Sequence, residues 1–453
     1  MKRSLLALGI LSASFSVCAD PVFQPLGENL TYGSVANFQS LSSYSNNPAI
    51  GASSLGVDDD WYFGLGVATI GIGAEIGPVD NFNEDIDNFS DQINDISDID
   101  PDDFNGILDA VDALKTAFDP FLVEAGDKGY FQANLVARPL FPIVWTSQNT
   151  LGGSLVFDGN LAVQAKLRVL DAPIIIPDLS EYLSGDTGGL DVEALARNIS
   201  NTHLYLKVGA VGEFSLGYSR PVLQLPEGTL TAGVRGKLYQ VNLKKVLVPV
   251  NEVEDAEQLV RDEVDLSVTA DTGYGADLGM LWTAKNYRLG AWFKNVNSPS
   301  FDYDPVSQNC DAIIDEVQKT RCFKAKAFAN EVDLEENYTM DAQVNIEGAI
   351  YNRSRNFVIS GSLDTSPVND PVANEIQWAS VSAGYATRSW IIPGIRAGYR
   401  KNLAGSQLSA ATVGLTLLKS IHADVAWGLE TVEVSGNAAP RMFQANLGID
   451  FLF

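Results

Sequence analysis

The chain has 453 residues, 46% hydrophobic and 19% charged, and its 57 acidic against 30 basic side chains give a net charge of −27. Such an acidic surface excludes nucleic-acid binding, which requires basic side chains. The mean hydropathy of +0.03 fits a soluble protein and a membrane barrel equally, because a barrel with one apolar and one polar face averages to near zero.

The N-terminus has the three parts of a secretory signal peptide. Two basic residues precede an apolar run over 5–17, and Val17-Cys18-Ala19 forms a small-residue cleavage site. We expect residues 1–19 to be removed on export, leaving Asp20 as the first residue of the mature chain.

Two interpretations of residues 20–57 remain open. This segment is rich in Ser, Asn and Gly and is too polar to span lipid. It forms either a disordered periplasmic tail or a plug, also called a hatch, that folds into the lumen of a barrel. The barrel would then cover residues 58–453.

From residue 61 onward the sequence alternates apolar and polar side chains over about fourteen segments of strand length. Short turns alternate with long connections between the segments, which is the topology of an outer-membrane barrel. The predicted strands cover residues 61–76, 129–139, 153–170, 202–220, 229–248, 264–284, 286–296, 338–350, 355–364, 376–388, 391–401, 406–418, 420–430 and 440–453.

Three features favour a membrane barrel over a soluble sandwich. The strands are long enough for a tilted span, several carry charges on one face, and tryptophans lie where an interfacial girdle would place them. The girdle residues are Trp282, Trp292, Trp378, Trp390 and Trp427. The charges predicted to face the lumen are Lys166, Arg168, Lys207, Glu213, Asp341, Glu347, Arg396, Arg400 and Asp424.

We therefore predict an all-β fold: a transmembrane antiparallel β-barrel of about 14 strands, with an N-terminal plug and helical extracellular insertions. Because the chain is exported, its destination would be the outer membrane of a Gram-negative cell. Outer-membrane lipid and lipopolysaccharide would then surround it.

Insertions at about 79–128, 171–201 and 297–337 interrupt the strands. In the first insertion apolar residues recur every three to four positions, which predicts amphipathic helices. These helices either only cover the barrel mouth, or their apolar side also forms a groove that binds a hydrophobic ligand. The groove would consist of Phe82, Ile86, Phe89, Val111, Leu114 and Phe118.

Cys310 and Cys322 are the cysteines that remain once the signal peptide is removed. An oxidising compartment favours a disulfide between them over two free thiols.

The last eight residues alternate strictly and end on an aromatic side chain. Through Gly448, Phe451 and Phe453 they resemble the C-terminal signal by which outer-membrane barrels are recognised for insertion. We therefore expect the barrel-assembly machinery to be a partner during insertion.

Neither a catalytic set nor a metal or cofactor site stands out in the sequence, so we expect no enzymatic activity. The chain has two histidines, and neither has the spacing of a nucleophile's base or of a metal ligand. His422 shares a strand face with Asp424, and a hydrogen bond inside the lumen is a simpler role for this pair than catalysis.

Short motifs resemble two related families. Asn47-Pro48-Ala49, shortly before the first strand, looks like the hatch of the long-chain fatty-acid transporter (FadL) superfamily of fourteen-stranded barrels. Residues 275–280, 293–299 and 395–403 are similar to the outer-membrane family labelled conjugal transfer protein TraF. The first resemblance implies a plugged barrel that takes hydrophobic molecules inward, through the lumen or a gap in its wall. The second implies a part in conjugation.

Two functions follow from these patterns. The first is a barrel that binds or passes hydrophobic small molecules, and the second is a structural component of a conjugation apparatus without a transported solute. Apolar residues of the 82–118 helices facing an open pocket would favour the first function. A sealed lumen and packed loops would favour the second.

Overall fold

The computed structural model of the chain describes residues 25–36, 40–54, 61–175, 178–182, 190–196, 198–250, 270–304, 306, 309–385 and 391–453. Within these residues, fifteen strand segments join in one sheet that closes on itself, and two of the segments are halves of a single strand. The result is a closed antiparallel barrel of fourteen strands, which confirms the predicted fold class.

The strands, numbered β1 to β14, follow one another around the ring in chain order. They are Trp61–Ile76 (β1), Tyr130–Pro139 continued by Ile143–Ser147 (β2), Gly153–Leu170 (β3), His203–Leu225 (β4), Gly228–Pro249 (β5), Asp271–Ala284 (β6), Tyr287–Lys294 (β7), Gln343–Tyr351 (β8), Phe357–Asp364 (β9), Trp378–Tyr385 (β10), Gly394–Asn402 (β11), Ser409–Leu417 (β12), Ile421–Gly428 (β13) and Met442–Leu452 (β14). Pairing of β1 with β14 closes the ring. Predicted strand residues 264–269 and 386–388 lie outside the described residues.

Alternating side chains explain why these segments form a barrel in a bilayer. On β14, Leu447 and Phe451 are exposed on the outside, whereas Asn446 and Asp450 are buried inside. The other strands repeat this pattern and give the outer wall an apolar surface, as lipid contact requires. Its exposed side chains include Ile70, Ile72, Leu216, Val234, Leu278, Leu289, Ile346, Ile359, Val381, Ile395, Val413 and Val425.

The predicted tryptophan girdle is wrong for two of its members. Trp427 is exposed on the outer wall and Trp282 is half-buried. Trp292 is instead buried inside the barrel, and Trp378 lines a cavity there, because both residues fall on the inward side of their strands. Trp390 lies outside the described residues.

The two ends of the barrel differ in the length of their connections. Residues 285–286 and 418–420 make short turns at one end, whereas residues 77–129 and 295–342 make long connections at the other. Short turns mark the periplasmic end of such barrels. The long insertions are therefore extracellular.

Strand β2 is interrupted in a way that the sequence pattern did not predict. Its pairing with β3 stops at Ala137 opposite Leu161 and resumes at Ile143 opposite Phe157, so five residues face three across the gap. Leu140 has a positive φ of 60°, and Pro142 has no N–H to offer to a ladder. The wall therefore has a local break in its hydrogen bonding between β2 and β3.

The helices lie inside the barrel and in the outer insertions. They are Asn29–Tyr32 (α1), Ser42–Asn46 (α2), Phe82–Ser97 (α3), Phe104–Lys128 (α4), Val192–Ala196 (α5) and Glu316–Ala325 (α6), with short 3-10 turns at Gly51–Ser54, Leu179–Tyr182, Cys310–Ala312 and Lys326–Phe328. Among the described residues, none of these helices is both long and apolar enough to cross a bilayer.

Helices α3, α4 and α5 form a cap with its own apolar core over the outer ends of β3, β4 and β5. The spacing of apolar residues places one face of each helix inward, and Asp103 caps α4 by accepting a hydrogen bond from the Gly106 N–H at 2.9 Å. The core also includes Val169, Leu204 and Val248 from the strand ends. The cap is thus continuous with the barrel wall.

The third insertion is closed by a disulfide between Cys310 and Cys322, whose Cα atoms lie 5.6 Å apart. Phe328, which follows α6, packs with Leu170, Tyr205 and Leu247 at the ends of β3, β4 and β5. The disulfide therefore constrains a segment that folds against the same strands as the helical cap.

Candidate functional site

Residues 25–36 and 40–54 lie inside the barrel and are buried almost throughout. They form α1, α2 and the 3-10 turn at Gly51–Ser54, and we call them the plug. Apolar plug residues such as Val35, Leu41 and Ile50 pack with Val144, Val156 and Leu281 from the wall. The barrel is therefore filled by its own N-terminal segment.

A cluster of buried charges holds the start of α1 in the plug against strands β11 and β13 of the wall. The Glu28 carboxylate lies 3.1 Å from Arg396 Nη1 and 2.6 Å from His422 Nδ1. Arg396 Nε also donates to Asp424 Oδ1 at 2.7 Å, and Thr31 of the plug donates to the same carboxylate oxygen at 2.7 Å. Every charge in the cluster therefore has an opposite charge or a hydrogen-bond donor beside it.

The charge cluster makes the seating of the plug sensitive to acid. Burial raises the pKa of Glu28, but the positive charges of Arg396 and His422 outweigh burial and hold this pKa at about 2, below the ordinary 4.5. A lowered pKa stabilises the seated plug above pH 4.5, and this contribution, ~3 kcal/mol, is lost as the pH falls toward 2.

We expect the plug to loosen between pH 4.5 and pH 2, and bilayer conductance to rise in that range. Glu28→Gln is the matched control because it has no carboxylate to titrate there. If the Glu28→Gln variant and the parent protein open over the same pH range with equal steepness, Glu28 is not the group responsible.

Glu347 and Asp450 hold the rest of the plug backbone. Glu347 Oε2 accepts hydrogen bonds from the Ser34 N–H at 2.8 Å, the Ser34 hydroxyl at 2.7 Å and the Val35 N–H at 2.8 Å. Asp450 accepts from the Leu41 N–H at 3.1 Å and from His422 Nε2 at 3.0 Å. These carboxylates satisfy buried N–H groups of the plug backbone that lie outside its helices.

The Asn47-Pro48-Ala49 motif rests directly on the wall. Asn47 Oδ1 accepts the Ala49 N–H at 2.9 Å, and Asn47 Nδ2 donates to the Met280 and Ala291 carbonyls at 3.3 and 3.4 Å. A Cβ atom at Gly233 would overlap the Pro48 carbonyl, and one at Gly279 would overlap the Asn47 side chain. These two glycines therefore allow the motif to approach the wall closely.

Arg235 fixes the helix that leads into this motif. Its guanidinium donates to the carbonyl oxygens of Tyr44, Ser45 and Asn46, which form the C-terminal end of α2. A cation at this end of a helix satisfies carbonyls that have no intrahelical partner. The Asn47-Pro48-Ala49 motif is thus held by its own contacts with the wall and by the contact of Arg235 with the helix before it.

The other predicted site residues lie in several places. Of the predicted lumen charges, Glu347, Arg396 and Asp424 contact the plug, whereas Asp341 is exposed before β8 begins. His422 binds Glu28 and Asp450 rather than Asp424.

Gly448 is on the inner face of β14, with Phe451 and Phe453 exposed at its periplasmic end.

The six predicted groove residues all lie in the interior of the helical cap. Phe82, Ile86, Phe89, Val111, Leu114 and Phe118 are each no more than 9% exposed. Phe89 and Phe118 contact each other, with ring centroids 5.3 Å apart. The residues therefore pack with one another in this conformation, and their role in ligand binding stays a prediction.

Among the described residues, no cluster of three or more His, Cys, Asp or Glu side chains is arranged to hold a metal ion.

The closed ring of strands, its apolar outer wall and the buried plug together define a plugged outer-membrane β-barrel. The family model described as "F plasmid transfer operon, TraF, protein" matches residues 45–364, and the chain belongs to this family. The match begins just before Asn47 and ends at the last residue of β9.

Several solved structures are similar to the chain. The Pseudomonas putida toluene transporter TodX is 12% identical, with 97% of this chain and 98% of that chain covered and a TM-score of 0.35. A TodX deltaS2S3 mutant, described as a monoaromatic hydrocarbon channel, is 12% identical over 95% and 99% of the chains, with a TM-score of 0.45. A Pseudomonas aeruginosa FadL homologue is 10% identical over 97% and 99%, with a TM-score of 0.32. No curated protein matches the chain.

Proposed function

We propose that the chain is an outer-membrane channel that binds hydrophobic small molecules and passes them through the interruption in its wall. The observation that carries this proposal is the break in β2 between Ala137 and Ile143, which has the plug directly behind it. At this place a solute needs to separate fewer inter-strand hydrogen bonds than elsewhere in the ring.

The outside of the break is apolar and aromatic. Leu140 is 63% exposed there, and the rings of Phe141, Phe157 and Phe214 contact one another with centroids 5.3 to 6.4 Å apart. An apolar solute that reaches this surface from water gains about 25 cal/mol for each Å² of apolar area that it removes from water. The aromatic cluster is therefore a suitable contact for a hydrophobe at the wall.

The inside of the break is closed by the plug and by one ion pair. Leu26 of the plug packs on Val136 and Ala162, which flank the break on β2 and β3. Arg138 Nε lies 3.4 Å from Asp158 Oδ1 beside them, and both side chains are buried. Passage therefore requires the N-terminal part of the plug to move away from these two strands.

The proposal also includes a second, outer binding site for the hydrophobic molecules, which is the apolar core of the helical cap. Phe82, Ile86, Phe89, Val111, Leu114 and Phe118 supply the apolar surface, and α3 and α4 would separate to admit a ligand. Outer-membrane lipid and lipopolysaccharide surround the wall in this proposal, and the barrel-assembly machinery inserts the chain through Gly448, Phe451 and Phe453.

Locking the plug against the break tests the route. We expect a disulfide between Leu26→Cys and Ala162→Cys to reduce uptake of a labelled long-chain hydrophobe into vesicles at least tenfold, and a reductant to restore it. Each single-cysteine variant is a control, because the native Cys310 and Cys322 are already paired. Unchanged uptake with complete cross-linking would exclude passage at this place.

The outer binding site is tested by measuring the affinity for the labelled hydrophobe in the same vesicles. Phe89→Ala removes a ring from the centre of the cap core, where the side chain is 0% exposed, and is expected to change the affinity for the labelled hydrophobe. Val123→Ala, on the exposed side of α4, is the control. Equal affinity in both variants would remove the cap from the proposal.

A second candidate function is a structural component linked to conjugal transfer, without a transported solute. Two observations favour it: the cap core is packed, with Phe89 and Val111 fully buried, and the family model carries the name of a plasmid transfer operon. A conjugation assay separates the candidates. Under this second function, the variant with Leu26→Cys and Ala162→Cys cross-linked supports normal plasmid transfer. Neither that variant nor the parent protein then takes up the labelled hydrophobe.

A further inference from the structure

A cavity of about 370 Å³ lies at the outer end of the lumen, apart from the wall break and the cap core. The inner faces of β1, β2, β3 and β14 form one side of it, and the loops at residues 370–376 and 405–406 form the other. Its size is in the range of small-molecule binding sites. Most of the residues that line it are polar, whereas a site for a hydrophobe is lined mainly by apolar residues.

Amide side chains dominate the wall of this cavity. Asn134 and Gln164 are register partners on β2 and β3, and Gly73 on β1 lies opposite both Asn134 and Gln444. Gln132 lies one inward-facing position closer to the outside than Asn134. Four amides thus face the same space from three strands, and each amide offers both hydrogen-bond donors and an acceptor.

Three of the four charged residues that line the cavity, Glu75, Lys166 and Asp370, already have partners. Lys166 donates to the side-chain oxygen of Asn374, and Glu75 accepts from the Tyr130 hydroxyl. Asp370 accepts from the Val372 N–H at 3.0 Å and from the N–H and side-chain amide of Asn374, both at 2.8 Å. These charges hold the loop and the wall in place, so they do not call for a charged ligand.

The polar atoms without partners are neutral. Within the described part of the chain, Asn134 Oδ1, Gln164 Oε1 and Trp378 Nε1 have no hydrogen-bond partner although all three atoms are buried. The Gln164 side chain belongs to a residue that is only 3% exposed. Rotation about the last torsion of an amide side chain is nearly free, so both amides can turn into the cavity. A buried polar group without a hydrogen bond is destabilising until a partner satisfies it.

The two amide side chains determine which ligand chemistry fits the cavity. A hydroxyl group both donates and accepts, so a molecule with several hydroxyls satisfies both amides once they turn into the cavity. The two amide oxygens and the nearby Asp370 carboxylate would repel an anion, and the Lys166 ammonium would repel a cation. We propose that this cavity is a binding site for a neutral polyhydroxylated molecule, that is, a saccharide or polyol that enters from outside the cell.

Trp378 supplies the apolar part of the site. Arg400 stacks on one face of its ring, with the guanidinium carbon 3.8 Å from the ring centroid. This contact fixes the ring so that its edge and remaining surface border the cavity. The carbon-bound face of a sugar ring is apolar, and a fixed aromatic side chain is a suitable contact for it.

Saturation-transfer NMR on the full mature barrel tests the site. The detergent must have no sugar headgroup, because a maltoside would compete; an amine oxide avoids this. Maltotriose represents free saccharides, and neutral polysaccharide released from lipopolysaccharide represents the membrane-borne source. Glucuronate and glucosamine are the charged comparison ligands. We expect transfer to at least one neutral ligand, and weaker transfer to both charged sugars.

Paired variants make the test specific. Asn134→Leu combined with Gln164→Leu is expected to lower the affinity roughly tenfold or more, since two hydrogen bonds are lost and each is worth about a factor of three to ten. Gln224→Leu removes an exposed amide at the periplasmic end and is expected to bind as the parent does. Retained heat-dependent gel mobility shows that both variants are folded. Absence of transfer from every neutral ligand, equal binding by the double variant, or preference for a charged sugar overturns the proposal.

Discussion

Replacing Arg396 by alanine is expected to release the plug and convert the closed barrel into an open pore. Arg396 lies between Glu28 of the plug and Asp424 of the wall and is 3% exposed. Without the guanidinium, two buried carboxylates face each other with no shared cation, and loss of one partner of a buried pair typically destabilises by about 3–5 kcal/mol. Separation of the plug from the wall lets water reach both groups.

Single-channel conductance in planar bilayers measures this release directly. We expect the Arg396→Ala barrel to show large, long-lived open events and the cell to become sensitive to large antibiotics. Arg220→Ala, an exposed arginine near the periplasmic end of β4, is the control with equal loss of charge. Closed channels in Arg396→Ala, with the barrel shown to be folded, would mean that the remaining plug contacts suffice.

Replacing Gly233 by valine is expected to displace the Asn47-Pro48-Ala49 segment while leaving the strand intact. A side chain at this position meets the Pro48 carbonyl, which is backbone and cannot rotate away. Overpacking a well-packed interior typically destabilises by about 1–3 kcal/mol. Because Asn47 also bonds to the wall at Met280 and Ala291, those hydrogen bonds are lost with the displacement.

The same strand provides a matched control for this substitution. Gly236 lies three residues further along β5, and a Cβ there meets nothing within 4 Å, so Gly236→Val should leave the plug seated. Limited proteolysis from the periplasmic side reports on the plug in both variants. We expect faster cleavage of the N-terminal segment in Gly233→Val alone. Equal cleavage rates would show that the motif tolerates a side chain beneath it.

Most of the barrel follows from the sequence because each strand has its own period-2 signal. The alternation in 155–169 and in 421–430 places strands within a few residues of their observed ends, and polar inner faces identify a lumen. The break in β2 was not predicted, because the sequence from 129 to 139 alternates well and Ile143–Ser147 is too short to stand out. Pro139 and Pro142, which flank the break, are its local signals.

The seat of the plug could be predicted only in part. Glu28 is the one charged residue between Asp20 and Asp58, and a lone charge in a segment destined for a lumen predicts a charged partner there. Its partners Arg396 and His422 are 368 and 394 positions away, and only the closed ring brings them together. The amide-lined cavity was not predicted, since it depends on the register of four strands and on how one loop folds inward.

The plug places a constraint on how this molecule is made. Glu28 is 394 positions from His422, and Leu41 is 409 positions from Asp450, yet each pair is hydrogen-bonded. The plug precedes the strands in the chain, so these two contacts wait for the last two strands, and contacts so distant in sequence form slowly. Final closure of β1 against β14 also encloses the plug, so a chain that closes early would be sealed around an empty lumen.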